Sequence, residues 1–111
     1  MPAYVVFICR EVVDRQELNT YWQRVTGTLA DHAARVVVDY TRMRILEGQG
    51  PVEGVTVYEF PSRDAARSWY NSAAYREARQ HRTKGGKYLV ILTEGGVPPV
   101  DQRMPRTRVA A

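Results

Sequence analysis

Ala3-Tyr4-Val5-Val6-Phe7-Ile8-Cys9 is the stretch on which the fold turns. It is almost wholly apolar and rich in β-branched and aromatic residues, with no polar alternation. A short run of that kind is a strand, and one that is apolar on both faces belongs near the middle of its sheet with both faces covered. Working outward, a helix begins after Asp14. Asp14 and Glu17 have the spacing of a capping box, with Asp in the place usually taken by Ser or Thr. Leu18, Tyr21, Trp22, Val25 and Leu29 then recur at helical offsets and form one apolar stripe. Arg15, Gln16, Gln23 and Arg24 make the solvated face, and the helix is expected to end near His32.

Residues 35–40 (RVVVDY) form a second strand, followed by a loop rich in Gly and Pro. Residues 55–60 (VTVYEF) form the third, stopped by Pro61. Ser62 caps a second helix that carries Asp64 in its first turn. Ala65, Ala66, Trp69 and Tyr70 make its buried face. Asn71-Ser72 interrupts it, Ser72 recaps a continuation to about Arg82, and Gly85-Gly86 ends it. Residues 87–93 (KYLVILT) are the last strand.

The order is β-α-β-β-α-β, which predicts an α+β, ferredoxin-like fold. Its four-stranded antiparallel sheet has strands one and three in the centre and two helical regions on one face. Apolar residues remain on the other face, and no helix is left to cover it. A second copy of the chain is the simplest cover, so a homodimer is expected.

With 111 residues the chain is one domain, placed at residues 1–95. A basic, proline-containing tail over 96–111 has no periodicity and is expected to be irregular. A single cysteine, Cys9, excludes an internal disulfide and a cysteine-built metal site. No apolar run is long enough to cross a bilayer, and the amino terminus lacks the pattern of a signal peptide. A cytoplasmic protein with no membrane partner is expected. The net charge of +4 is concentrated at Arg76, Arg79, Arg82, Lys84 and Lys87 and in the tail. No RNA-binding signature and no interleaved stacking aromatics accompany it. It reads as a solvated helix face with no nucleic-acid partner, and as a field that attracts small anions.

Four phrases in order resemble one known family. They are Leu46-Glu47-Gly48, Glu59-Phe60-Pro61-Ser62, the run Trp69-Tyr70-Asn71-Ser72-Ala73-Ala74-Tyr75, and the closing run Tyr88-Leu89-Val90-Ile91-Leu92-Thr93-Glu94-Gly95. Over residues 3–95 the chain resembles the family of domain of unknown function 1330 (DUF1330), in the dimeric α+β barrel group. Ala33-Ala34 stands where members usually carry Gly-Gly, and Asp39-Tyr40-Thr41-Arg42 where they are often glycine-rich. The resemblance implies two ferredoxin-like subunits with facing sheets. The group includes cofactor-independent monooxygenases, polyketide cyclases, lactone isomerases and haem proteins. The family itself has no agreed activity.

Three residues are candidate proton movers. Glu59, near the end of the third strand, is costly to bury alone. It is either a general base or a structural residue that caps the next helix or pairs with an arginine, with Arg82 one choice; an arginine at Arg82's position recurs in the family. His81 and Asp39 are the alternatives, since a histidine changes charge near neutral pH. Tyr40, Tyr58, Trp69, Arg82 and His32 are candidate substrate-binding residues. The aromatics would either line a cavity for an aromatic ligand or pack the core, and Arg82 would hold an anionic group. The expected pocket lies between sheet and helices, lined by Tyr40, Tyr58, Trp69 and His81, with Glu59 and Arg82 at its polar end. Two isolated histidines make no metal site, and no cofactor motif is present. The expected function is a cofactor-independent cyclase, isomerase or oxygenase of a small hydrophobic or aromatic molecule. The alternative is a non-catalytic ligand-binding or structural homodimer.

Overall fold

The computed structural model describes residues 1–104. Strand β1 (Ala3–Val12) leads into helix α1 (Arg15–Leu29), which tightens into a 3-10 turn at Ala30–His32. Strands β2 (Arg35–Asp39) and β3 (Gly54–Phe60) follow, then helices α2 (Arg63–Tyr70) and α3 (Ala73–Gly85), and strand β4 (Gly86–Glu94). The strands lie in the order β2-β3-β1-β4, and every neighbouring pair is antiparallel. This is the expected α+β, ferredoxin-like arrangement, with β1 and β3 central.

Local chemistry accounts for the element ends. The Asp14 carboxylate accepts hydrogen bonds from the backbone N–H groups of Gln16 (3.0 Å) and Glu17 (3.4 Å), satisfying donors that a helix start leaves free. Ser62 does the same for Ala65 at 3.0 Å. Between α2 and α3, Ser72 accepts from the Tyr75 N–H and donates its hydroxyl to the Trp69 carbonyl at 2.7 Å. One side chain thus ends one helix and begins the next. At the α3–β4 junction the Gly85 carbonyl accepts from the N–H groups of Val13 and Asp14. A Cβ on Gly85 would fall 2.7 Å from the Leu18 side chain, so only glycine allows α3 to sit this close to α1.

Strand β1 runs to Val12, beyond the apolar run that ends at Cys9. Past a bulge, Glu11 and Val12 still pair with Lys87 and Gly86 of β4. Backbone pairing extends the strand where the side chains have turned polar.

The two-residue period of the strands sorts their side chains. Ala3, Val5, Phe7 and Cys9 of β1, with Thr56, Tyr58 and Phe60 of β3, are buried beneath the helices. Helix α1 meets them with Leu18, Tyr21, Val25 and Leu29, α2 with Ala66 and Trp69, and α3 with Tyr75 and Ala78. Trp69 sits at the centre, fully buried. Its ring stacks 4.0 Å from that of Tyr75 and touches Phe7, Tyr58 and Phe60. Its indole N–H donates to Thr28 Oγ1 at 2.9 Å, so burial leaves no polar atom of Trp69 unsatisfied. Truncating a residue so placed typically costs about 3–5 kcal/mol.

The opposite sheet face carries Tyr4, Val6 and Ile8, then Val55, Val57 and Glu59, and Leu89 and Ile91 at the β4 edge. Leu89 and Ile91 are each 40% exposed. No helix among the described residues is long and apolar enough to cross a membrane. The tail beyond residue 104 lies outside the described residues. Its described part includes a 3-10 turn at Val100–Gln102 and exposes Val97, Val100 and Met104.

Candidate functional site

Two clefts open side by side at the end of the molecule where β2 gives way to its loop. The first, about 270 Å³, lies between α1 and the β2–β3 pair and is walled by Arg15, Trp22, Val25, Leu29, Val36, Asp39, Tyr40 and Tyr58. The second, about 200 Å³, is lined by Cys9, Val12, Leu18, Glu53 and Tyr88, with Arg15, Trp22 and Tyr40 again. The Trp22 and Tyr40 rings meet edge to face at 5.2 Å and form the partition. The Arg15 guanidinium lies 5.3 Å over Trp22, a cation held against the electron-rich face of an indole.

Tyr40 reaches this position through a left-handed backbone, with φ of 57°. A non-glycine residue holds that conformation only when its surroundings compensate. Here the compensation is visible. The Tyr40 N–H donates to the Val55 carbonyl at 2.9 Å, its ring packs on Trp22, and its hydroxyl lies 2.7 Å from that of Tyr88. Asp39, one residue earlier, is exposed at the lip and accepts a hydrogen bond from Thr56 Oγ1 at 3.4 Å.

Burial sets the protonation of the inner groups. It pushes the Tyr88 phenol far above its usual value, helped by the hydroxyl of Tyr40. It raises Tyr58 likewise, with Asp39 adding to the effect. Both remain neutral hydroxyls. The Cys9 thiol is also raised by burial and stays protonated, which makes it a poor nucleophile.

Behind Tyr88 lies Arg82, only 5% exposed. Its guanidinium is 5.1 Å from the Tyr88 ring, 5.5 Å from Phe7 and 6.0 Å from Tyr21. Burial works against its charge, but Tyr75 and Tyr21 outweigh it and hold the guanidinium above its ordinary value. No carboxylate forms an ion pair with Arg82 among the described residues, and its Nε has no hydrogen-bond partner. The indole Nε1 of Trp22 is the second buried atom without one. Both are donors, and unpaired buried donors are uncommon.

The structure therefore brings Tyr40, Tyr58, Trp69, Arg82 and Asp39 into one connected layer, and leaves Glu59, His81 and His32 outside it. Neither cleft is the single pocket expected for them. Trp69 lies in the core and walls neither cleft. Glu59 points to the helix-free sheet face, because Tyr58 takes the helix side and a strand alternates. Its carboxylate accepts from the Arg35 guanidinium and from the Tyr4 hydroxyl at 3.3 Å. Arg35, directly across the β2–β3 pair, fills the partner role considered for Arg82.

His81 lies on the seam between α1 and α3, with Nδ1 2.7 Å from Glu17 Oε1 and Nε2 4.0 Å from Glu77. One residue is about 100° of helix, so with Arg82 turned inward His81 faces sideways. His32 lies in the 3-10 turn after α1. Among the described residues no three of His, Cys, Asp and Glu gather as a metal-binding group.

Sequence reasoning gave Trp22 only to the apolar stripe and Arg15 only to solvent. Their seven-residue spacing, two helical turns, was the available sign that they share a face.

The sequence profile of the family described as "Domain of unknown function (DUF1330)" matches residues 2–96, and the chain belongs to that family. Among curated proteins none matches in sequence. Among solved structures, the chain is similar to a protein of unknown function from Rhodopseudomonas palustris, RPA0582. The TM-score is 0.66 and the identity 18%, over 87% of this chain and 84% of that one. It is similar to a dimeric protein of unknown function and ferredoxin-like fold from Bacteroides fragilis, with a TM-score of 0.60 and 12% identity over 85% and 96% of the two chains. SnoaB, a cofactor-independent oxygenase from Streptomyces nogalater, matches with a TM-score of 0.58 and 12% identity over 87% and 95%. At these identities the likeness is one of fold.

Proposed function

We propose that this member of the DUF1330 family is a cytoplasmic homodimer that acts without a fixed cofactor on a small aromatic or hydrophobic molecule bearing an acidic C–H beside a carbonyl. The observation that carries the reading is the pair of unpartnered buried donors, Trp22 Nε1 in the wall shared by the two clefts and Arg82 Nε behind the Tyr88 ring. A buried guanidinium without a counter-ion is costly, and the cost is repaid when charge develops on a substrate oxygen nearby.

In this mechanism Asp39 at the lip takes the proton. The electron pair left on carbon delocalises to the carbonyl oxygen as an enolate. The positive field of Arg82, transmitted past the Tyr88 ring, stabilises that oxygen, and the Tyr40 and Tyr88 hydroxyls orient it. An enolate is the common starting point of isomerisation, cyclisation and oxygen addition, the chemistries expected from the sequence. The fold likeness to a cofactor-independent oxygenase is in keeping with it. A non-catalytic binding role is the second reading, favoured by the filled centre, where Trp69 and Tyr75 occupy the space between helices and sheet.

The test uses 2-tetralone, a bicyclic aromatic ketone, in heavy water, with α-proton exchange followed by NMR. The wild type is expected to exchange faster than buffer. Asp39→Asn should lose about 10²–10⁴-fold of that rate, while Glu59→Gln and His81→Gln retain it. No acceleration by wild type, or full activity in Asp39→Asn, removes the catalytic reading. Binding without exchange would establish the second.

A further inference from the structure

We propose a second small-molecule site, separate from the clefts around Trp22, between α2 and the edge strand β4, that takes a short amphipathic carboxylate. A cavity of about 220 Å³ opens there. Its floor is Val5, Val90 and Leu92 of the sheet, and Ala66 and Tyr70 of α2 form the facing wall. Val5 and Leu92 are paired across the β1–β4 ladder, so the floor is one continuous apolar surface of the sheet.

The rim is of opposite character. Arg67 and Asn71, one helical turn apart, stand on it. The Arg79 guanidinium lies 4.7 Å over the Tyr70 ring, so a second cation borders the aromatic wall. Neither arginine is in an ion pair among the described residues. An apolar floor with cations and an amide at the mouth matches a molecule with a hydrocarbon or aryl body and one carboxylate. The volume is below the roughly 300–1,000 Å³ of pockets for drug-sized ligands, which limits the body to a short chain or one ring.

The probes are sodium octanoate and its uncharged analogue 1-octanol, titrated into the full chain and followed by backbone amide NMR shifts. Octanoate is expected to move the amides of Ala66, Tyr70, Asn71 and Leu92 at millimolar concentration, and to bind more tightly than octanol. The double change Arg67→Gln, Arg79→Gln should weaken octanoate roughly fivefold, as for exposed charge pairs, and leave octanol unchanged. Leu92→Trp, which fills the cavity from a partly exposed position, should abolish both, with the rest of its spectrum reporting an intact fold. The proposal fails if octanoate leaves these amides unmoved, if it shifts those around Trp22 and Tyr40 instead, or if the arginine changes do not alter the preference for the charged probe.

Discussion

Tyr88 carries the Arg82 guanidinium on its ring face and the Tyr40 hydroxyl on its oxygen. Tyr21, Tyr58 and Tyr75 share its surroundings, and burial raises all four phenols above their usual value. The folded chain therefore keeps protons that the unfolded chain gives up above about pH 10. Stability from this source is complete below that pH and falls as the pH rises beyond it, because the folded state binds the more protons. Phenolate absorbance of the native protein should rise in two stages. The second, from Tyr21, Tyr58, Tyr75 and Tyr88, should coincide with loss of the far-ultraviolet circular dichroism. All seven tyrosines ionising in one step with the fold intact would contradict this. Single residues were also where sequence reading reached least far. The sequence marks Arg82 as a cation for a ligand, but not that its guanidinium is buried with an unpartnered Nε. Glu59 is expected beside it at the polar end of the pocket, but strand alternation carries Glu59 to the other face, where Arg35 meets it.

Elements were more legible than sites, because a helix or strand is written in a period that many residues repeat. Asp14, Ser62 and Ser72 all cap their helices, but Glu17 meets His81 and the Asp14 N–H meets Gly85, so the capping box suggested by the Asp14–Glu17 spacing is only half formed. The segment from Tyr40 to Glu53 has no period, and with it the shape of the cleft mouth was hidden. The junction after α1 stores a testable strain. Ala33 has φ of 54° and closes the 3-10 turn by donating its N–H to the Ala30 carbonyl. A left-handed residue other than glycine costs about 1–2 kcal/mol, against roughly 0.5–1 kcal/mol of extra chain entropy for glycine. Ala33→Gly should therefore stabilise the protein by up to about 1 kcal/mol. At roughly 4–8 °C per kcal/mol for a domain near this size, thermal unfolding should move upward by a few degrees. A lower midpoint would mean that the Ala33 methyl group makes contacts worth more than the strain.

At the scale of the whole molecule, the helices bury one sheet face and leave the other, with Val6, Ile8, Val55, Val57, Leu89 and Ile91, uncovered, and the proposed dimer places a second copy there. The clefts and the β4-edge cavity lie on the helix side, so pairing through the free sheet face leaves all of them open to small molecules. A standard interface removes on the order of 1,600 Å² from water. Each apolar Å² of it contributes roughly 25 cal/mol, against the cost of association and of polar groups left imperfectly paired. Ile91, 40% exposed and beside Leu89 on the free face, is the place to break it, since a charge there meets solvent in a monomer but apolar surface in a dimer. Sedimentation equilibrium at micromolar concentration is the direct measurement. The wild type should show twice the 12.7 kDa chain mass, and Ile91→Glu should show the chain mass with its helical signal retained. A wild type that sediments as a stable, folded single chain would contradict the dimer.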